Sequence, residues 1–226
     1  MKNYLDILIL EDNPSDAELI KVELKKNNIK INNIFVVDNK TDFIKTIEDY
    51  ELDIILSDYS LPQFDAISAL EIVKEKSPDI PFIVVTGTLD EETAVDTIKS
   101  GAWDYVLKER LVRLGPAMQN ALKLKEEREK TKTAEKEIRK LSAGIEQSPS
   151  SIIITDTEGK IEYVNPRFEE ITGYAKEDVT GKEAVFIKPE FLEQNKEENL
   201  LEKLKAGEEW HGVLKNQKKN GSYFWE

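Results

Sequence analysis

The stretch ILILEDNPSD, residues Ile7 to Asp16, runs from four apolar residues directly into a cluster of acidic ones. Its apolar part has the pattern of a buried strand, because short Ile- and Leu-rich runs are typical of strands covered on both faces. Glu11 and Asp12 follow at once, and two adjacent carboxylates repel each other and resist removal from water. We therefore predict that this end of the strand meets a group that neutralises them.

Four further apolar runs follow the first, and amphipathic stretches with apolar residues at three- and four-residue spacing separate them. The five runs are LDILIL (5–10), INNIFVV (31–37), LDIILS (52–57), PFIVV (81–85) and WDYVL (103–107). Such alternation indicates a parallel sheet covered by helices on both faces. We predict a doubly wound α/β domain of five strands, in which the functional crevice lies beyond the carboxyl ends of the strands.

The residues that directly follow these strands are therefore the candidate functional residues. They are Glu11 and Asp12 after the first run, Asp58 after the third, Thr86 after the fourth and Lys108 after the fifth. Mg²⁺ prefers one or two carboxylates, waters and a phosphate oxygen as ligands, and a carboxylate can itself attack phosphorus to form an acyl-phosphate. The pattern predicts a magnesium site with Asp58 as phosphoryl acceptor, where Lys108 and Thr86 help to neutralise the phosphoryl oxygens.

A single acidic residue after a strand has a simpler interpretation, because it more often caps the following helix. Ser15 or Asp16 fits that role after the first strand. The convergence of four strand ends on one acidic pocket is what favours a functional site here.

Residues 3–125 resemble a response-regulator receiver domain. The resemblance depends on LEDNPSD, DIILSDYSLP, IVVTG and GAWDYVLK, which occur in the order and at the spacing of that family. It implies a flavodoxin-like fold in which Asp58 is phosphorylated. It also implies that Glu11, Asp12 and Asp58 bind Mg²⁺ together with the backbone carbonyl of Ser60.

By the same resemblance, Thr86 and Lys108 contact the phosphoryl group, and Tyr105 is the switch aromatic that turns inward as Thr86 moves. The residue pattern alone favours a half-buried strand aromatic for Tyr105. The family usually has a proline after the lysine, joined by a cis bond, whereas Glu109 follows Lys108 here. A cis bond before a non-proline residue costs about 2.5–4 kcal/mol, so we predict a trans bond or a strained cis bond held by the site.

From Leu111 onward the pattern changes to a long charged stretch without a strand signal. It fits one long solvated helix, and a loose heptad pattern favours a weak dimeric coiled coil. The a and d positions of this heptad are Ala117, Leu124, Thr131, Ala134, Ile138, Leu141 and Ile145. We expect a homodimer formed through this linker helix.

A second pattern begins near residue 151, with a strand, a turn at Glu158-Gly159, another strand, helices, and a hairpin that turns at Asn220-Gly221. Through SIIITDTEGKIEYVNPRFEEITGY and EEWHGVLKNQKKNGSYFW, residues 141–226 resemble a PAS sensor domain. The resemblance implies a five-stranded antiparallel sheet with helices on one side. Because the chain stops at Glu226, inside the expected fourth strand, we expect an incomplete sheet and a longer parent protein.

These patterns divide the chain into three parts. We predict a receiver domain over 1–122, a helical or coiled-coil linker over 123–143, and an incomplete PAS domain of the α+β class over 144–226.

The sequence has no cysteine, which excludes disulfides and a flavin–cysteinyl adduct in the PAS part. His211 is the only histidine, and we expect it to be structural or on the surface rather than a haem ligand. We expect four aromatic residues of this part to fill its core: Tyr163, Phe168, Tyr174 and Phe186.

Composition also limits the partners. A net charge of −13 makes nucleic acid and anionic membranes poor partners. No apolar run approaches the ~20 residues that span a bilayer, and the cysteine-free sequence fits a reducing, cytoplasmic setting. The receiver resemblance implies a sensor histidine kinase or a phosphotransfer protein as partner.

The leading interpretation is two-component phosphorelay signalling by a phosphoacceptor protein that is not an enzyme beyond its own phosphorylation and dephosphorylation. A receiver–PAS histidine kinase is one plausible parent. The main alternative is a Mg²⁺-dependent aspartyl-phosphate hydrolase of the haloacid dehalogenase type, which would need a second Asp two residues after Asp12, where Pro14 stands. A flavodoxin-like nucleotide-binding module is a third interpretation, and it would need a Gly-, Ser- or Thr-rich loop after the first strand.

Overall fold

The structure of the chain is a computed structural model. The residues that it describes are 4–27, 29–62, 64–87, 91–184, 206–207, 209, 211–213 and 215–225. They form two compact units, Met1–Thr133 and Ala134–Glu226. The boundaries predicted near residues 122 and 143 remain predictions.

The first unit contains a five-stranded sheet with the strand order β2-β1-β3-β4-β5. Its strands are β1 (Leu5–Leu10), β2 (Ile31–Val37), β3 (Ile54–Ser57), β4 (Phe82–Thr86) and β5 (Asp104–Leu107). Every neighbouring pair is parallel, which confirms the predicted doubly wound sheet. The strand order reverses between β1 and β3, and ligands of open α/β sheets bind beyond the carboxyl ends at such a switch point.

Helices cover both faces of this sheet. They are α1 (Pro14–Lys26), α2 (Lys40–Asp49), α3 (Ala66–Lys76), α4 (Glu91–Lys99) and α5 (Leu114–Glu146). A 3-10 helix, Lys108–Arg113, joins β5 to α5. One apolar cluster combines the sheet with α2 and α3, and a second combines it with α1 and the first turns of α5. The apolar faces of these helices therefore explain why the central strands β3 and β4 are buried along their whole length.

The predicted coiled-coil seam is wrong at its first position. Ala117 is buried in the cluster that the sheet shares with α1 and α5. A 3.6-residue core-facing period and a 3.5-residue heptad differ too little to be distinguished over two turns. The seam positions Leu124, Ile138 and Leu141 are exposed, so an intermolecular seam is possible only beyond the core-packed part of α5.

Beyond the core, α5 contacts the segments that lead into β4 and β5. Lys132 Nζ lies 2.6 and 2.8 Å from the two carboxylate oxygens of Asp79. The Arg128 guanidinium lies 4.4 Å from the centre of the Trp103 ring. Residues four apart share one face of a helix, so the two basic residues bring one face of α5 against the amino-terminal edge of the sheet.

In the part that the structure describes, the second unit contains two antiparallel hairpins and short helices. Its elements are β6 (Ile153–Thr155), β7 (Ile161–Val164), α6 (Pro166–Thr172), α7 (Lys176–Val179), β8 (Lys215–Gln217) and β9 (Tyr223–Trp225). The first hairpin turns at Glu158-Gly159, where Gly159 has a φ of 85° that favours glycine. The second turns at Asn220-Gly221, so both predicted turns are confirmed. The amphipathic stretch EFLEQNKEENLLEKLKAGE, residues 190–208, predicts a further helix, and most of this stretch lies outside the described residues.

A small apolar cluster forms the core of this unit. Phe168 is completely buried in it, and Tyr174 packs against it, as predicted. Tyr163 is half-buried, and Phe186 lies outside the described residues. The His211 side chain is 90% exposed, which confirms a surface histidine. Among the helices of the described residues, α5 included, none combines enough length with enough apolar character to cross a membrane.

Candidate functional site

The charged residues predicted from the strand ends meet at the carboxyl edge of the first unit's sheet. Carboxylate oxygens of Glu11, Asp12 and Asp58 lie within 4.8 Å of one another. Lys108 Nζ lies 3.0 Å from Asp58 Oδ2 and 2.8 Å from Glu11 Oε2. The structure therefore brings these three carboxylates and this ammonium to one place.

Backbone hydrogen bonds fix the two acidic strand ends. The Glu11 amide donates to the Val37 carbonyl at 3.0 Å, and the Asp58 amide donates to the Leu10 carbonyl at 2.8 Å. The Tyr59 amide donates to Asp58 Oδ1 at 2.7 Å. One oxygen of the Asp58 carboxylate is thus held by the backbone while the other faces the ammonium, so its orientation is set before any ligand binds.

Glu11 is the most deeply buried carboxylate of the site, with 3% of its surface exposed. Its Oε1 accepts a hydrogen bond from the Asn13 amide at 3.1 Å. Its Oε2 forms an ion pair with Lys108 but makes no well-directed hydrogen bond within the part of the chain that the structure describes. Burial raises the pKa of Glu11, and the contacts with Lys108 and Asn13 only partly offset it. A bound cation would therefore relieve an unfavourable burial.

Lys108 is shared by three carboxylates. Its Nζ lies 2.6 Å from Asp16 Oδ2, 2.8 Å from Glu11 Oε2 and 3.0 Å from Asp58 Oδ2. Burial by itself would lower the pKa of Lys108, but the contacts with these carboxylates outweigh burial and raise that pKa above its ordinary value. The side chain is consequently an ammonium at neutral pH.

Asp16 is the site residue that the sequence prediction missed. The prediction gave the helix cap to Ser15 or Asp16, but the cap of α1 is Asn13, whose Oδ1 accepts from the Ser15 amide at 3.0 Å. The signal for this was Pro14, because proline is favoured at the first helical position and the cap precedes it. Asp16 instead directs its carboxylate to Lys108.

Three further predicted residues lie at or near the same edge. Thr86 is the last residue of β4 and is buried. Ser60 is exposed in the loop after β3. Tyr105 is half-buried on β5 and packs against the cluster of α2 and α3, which confirms the half-buried strand position. The roles of these residues in metal binding, phosphoryl contact and switching remain predictions.

The peptide bond between Lys108 and Glu109 is trans, since the described residues contain no cis bond. Of the two predicted alternatives, a trans bond or a strained cis bond, the structure has the trans bond. A 3-10 helix begins at Lys108, and the lysine side chain still reaches the carboxylates. The missing proline therefore does not displace the ammonium from the site.

The donor set fits a magnesium ion. Mg²⁺ takes oxygen ligands, uses one or two carboxylates and keeps several waters. The converging carboxylates supply such oxygens, and the buried Glu11 Oε2 makes no hydrogen bond within the described residues. Asp12 is exposed, so water has access to complete the coordination. The thiolates and imidazoles typical of zinc sites do not occur among these donors.

Comparisons with known proteins agree with this geometry. Residues 7–114 match the family model of the response regulator receiver domain, and residues 149–226 match a PAS domain model. The chain is similar to the bacterioopsin transcriptional activator of Halobacterium salinarum, with 25% identity over 191 residues, 79% of this chain and 28% of that protein. It is also similar to the regulatory protein LuxO of Vibrio cholerae, with 37% identity over 122 residues, 52% of this chain and 26% of that protein.

Among solved structures, a signal receiver domain from Vibrio parahaemolyticus is similar with a TM-score of 0.51 and 26% identity. The similarity covers 57% of this chain and 97% of that one. The chain spans only about a quarter of the length of the two curated relatives, 28% and 26%.

Proposed function

We propose that this chain, which comprises a response-regulator receiver domain followed by a PAS domain, accepts a phosphoryl group on Asp58 from a sensor histidine kinase or a phosphotransfer protein. The observation that supports this role is the environment of the Asp58 carboxylate. One of its oxygens accepts from the Tyr59 amide, and the other faces the Lys108 ammonium. This arrangement holds a nucleophilic oxygen beside a fixed positive charge, which phosphoryl transfer requires.

In the proposed step, an Asp58 oxygen attacks the phosphorus of a phosphohistidine on the partner. The new O–P bond forms as the P–N bond breaks, and the electron pair of the P–N bond returns to the imidazole nitrogen. Lys108 places its charge beside the oxygens of the moving phosphoryl group, and we propose the Thr86 hydroxyl as a second contact. Attack of water on the acyl-phosphate then releases inorganic phosphate and restores the Asp58 carboxylate.

We propose that Glu11, Asp12, Asp58 and the Ser60 carbonyl hold Mg²⁺. When bound, the metal supplies positive charge that offsets both the crowded carboxylates and the phosphoryl oxygens. The convergence of carboxylate oxygens of Glu11, Asp12 and Asp58 within 4.8 Å supports this assignment. The raised pKa of the buried Glu11 agrees with it, because burial is the largest cause of that rise and the contacts with Lys108 and Asn13 offset it only in part.

For signal output, we propose Thr86 and Tyr105 as the switch and α5 as the route. The two residues lie on neighbouring parallel strands, β4 and β5, and the 3-10 helix leads from Lys108 directly into α5. Exposed Leu124, Ile138 and other apolar positions of α5 support a homodimer through this helix. The cysteine-free sequence and the charge of −13 support a cytoplasmic protein without a nucleic-acid or membrane partner.

The test is phosphorylation of the intact chain by Mg²⁺ and acetyl phosphate, followed by mass spectrometry. We expect the wild-type mass to rise by one phosphoryl group and the Asp58→Asn mass to stay unchanged. Asp79→Asn is the matched control, because Asp79 is an exposed acid that contacts α5 and not the site. Equal labelling of Asp58→Asn would contradict the assignment. Steady release of phosphate from a phosphate monoester would instead favour the hydrolase.

A further inference from the structure

Asp16 adds a fourth carboxylate to the candidate site. Its Oδ2 lies 2.6 Å from Lys108 Nζ, closer than the oxygens of Glu11 at 2.8 Å and Asp58 at 3.0 Å. The Asp16 side chain is 26% exposed and the Lys108 side chain 17%. Water therefore screens this contact less than it screens an ordinary surface pair.

The start of α1 does not need Asp16 as a cap. Asn13 performs that task with its side-chain oxygen. An acidic residue in the first turn would gain a little from the helix dipole even if it faced solvent. The Asp16 carboxylate instead contacts a residue 92 positions away in the chain, which indicates a role at the site rather than within the helix.

Asp16 does not belong to the group of carboxylates that could bind a metal ion. The carboxylates that converge closely enough to share a cation are Glu11, Asp12 and Asp58. A metal there would draw Glu11 and Asp58 into its own coordination. Asp16 would then remain a partner of Lys108 whether or not the metal is bound.

Lys108 needs such a partner because its side chain is long and flexible. An ammonium has three donors, and three carboxylates now surround it at 2.6–3.0 Å. When Asp58 becomes an acyl-phosphate, one of these contacts changes from a carboxylate oxygen to a phosphoryl oxygen. Asp16 undergoes no such change, so it can hold the ammonium on the side of α1 before, during and after transfer.

We propose that Asp16 is a positioning residue for phosphoryl transfer that acts on Asp58 only through the Lys108 ammonium. The proposal rests on the proposed function of Asp58 as phosphoryl acceptor. Asp16→Asn keeps the shape of the side chain but removes the charge that anchors the lysine. Because small misplacements of a catalytic group reduce rates strongly, we expect Asp16→Asn to slow phosphorylation by about tenfold.

The test compares initial rates of labelling of the full chain by acetyl phosphate with Mg²⁺ in five proteins: wild type, Asp16→Asn, Asp16→Glu, Lys108→Ala and the double variant Asp16→Asn/Lys108→Ala. Asp16→Glu retains the charge, so we expect it to keep more of the rate than Asp16→Asn. In the Lys108→Ala background, Asp16→Asn should cause no further slowing, because a residue that acts through another has no effect once that residue is gone.

Glu18→Gln is the matched control. Glu18 lies two residues further along α1, is 68% exposed and pairs with Lys21 at 2.7 Å. Its substitution removes the same charge from the same helix without touching Lys108, so we expect an unchanged rate. The melting temperature of each variant shows whether a lower labelling rate comes from slower phosphoryl transfer or from a less stable fold.

A wild-type rate in Asp16→Asn would overturn the proposal, as would full slowing in the Lys108→Ala background or equal slowing by Glu18→Gln. Unfolding of Asp16→Asn with normal labelling of Asp16→Glu would assign Asp16 a structural role and also overturn it. All of these outcomes presuppose a wild type that is labelled on Asp58. If the wild type takes up no label, or takes it up elsewhere, the proposed function fails first and this proposal fails with it.

Discussion

Two ion pairs of the first unit share one N–O distance and lie in opposite surroundings. Lys108 and Asp16 approach to 2.6 Å with side-chain exposures of 17% and 26%. Lys132 and Asp79 also approach to 2.6 Å, but their exposures are 60% and 49%. The first pair lies at the carboxyl edge of the sheet and the second joins α5 to the segment before β4. Removal of water strengthens the attraction between the two charges and also raises the free-energy cost of taking them out of water. The N–O distance alone therefore does not show which pair contributes more to stability.

The neighbours of the two lysines differ as well. Lys108 is shared by Asp16, Glu11 and Asp58, and removing it would leave buried acids without a counter-charge. Lys132 has one carboxylate partner in the described residues, Asp79. Because both side chains are exposed, water can take the place of either partner at a small cost in folding free energy. Several carboxylates gathered around one partly buried ammonium therefore point to a functional site. A single exposed ion pair such as Lys132–Asp79 is common on protein surfaces and does not.

The largest expected effect is that of Lys108→Ala on stability. Removing the central charge of a largely buried cluster should lower the free energy of unfolding by about 3 kcal/mol in EDTA. Lys132→Ala is the matched variant and should lower it by less than about 1 kcal/mol. Urea unfolding of both variants measures the difference. Equal losses would mean that burial does not distinguish the two pairs.

Magnesium should produce the next largest effect. Binding to the folded state alone at a hundred times the dissociation constant raises the free energy of unfolding by about 2.7 kcal/mol. Thermal unfolding in MgCl₂, compared with NaCl of equal ionic strength, measures this shift. Asp12→Asn should reduce the shift, since Asp12 is an exposed member of the carboxylate cluster. A melting temperature that does not change in millimolar Mg²⁺ would argue against the metal site.

A smaller effect is expected from the helix cap beside the site. Asn13→Ala removes the acceptor for the Ser15 amide and should cost about 1 kcal/mol. Asn39→Ala removes the equivalent acceptor at the start of α2 and should cost a similar amount. Only Asn13→Ala should also slow labelling by acetyl phosphate, because the first turn of α1 presents Asp16 to Lys108. Equal labelling rates in the two variants would show that the site tolerates a looser α1.

The smallest effect concerns salt. Asp79→Asn should lower the free energy of unfolding by less than about 1 kcal/mol at low ionic strength, and salt should screen most of that loss. The loss in Lys108→Ala should persist at high salt, because buried charges are screened less. Urea unfolding at two NaCl concentrations measures both. A loss in Asp79→Asn that is independent of salt would contradict the assignment of this bridge as an exposed pair.

Much of this fold follows from apolar runs with clear ends. The runs at 5–10 and 31–37 coincide with β1 and β2, because polar residues bound each of them. The cluster of Glu11, Asp12, Asp58 and Lys108 was also predictable, since parallel strands deliver their ends to one edge of the sheet.

The sequence prediction missed residues whose neighbours in the chain fit two different roles equally well. Asp16 is an acidic residue in a first helical turn, which the helix dipole or a cap explains equally well. Nothing local identifies its contact across 92 residues. Ala117 fits both a heptad and a core-facing helix, and only the folded unit decides between them. The Lys132–Asp79 bridge joins two surface charges of common types, which no spacing rule connects.

The 3-10 helix between the site and α5 has a consequence for how the chain tolerates change. Six residues, Lys108–Arg113, separate β5 from α5, a helix of 33 residues, and within them Arg110 departs from helical geometry, with φ −127° and ψ 41°. Hydrogen bonds in 3-10 helices are weaker than those of α-helices. The segment between β5 and α5 is therefore more easily deformed than either of the two elements that it joins. If phosphorylation of Asp58 acts through α5 as proposed, an insertion in this segment should leave the labelling of Asp58 unchanged and should uncouple the start of α5 from it.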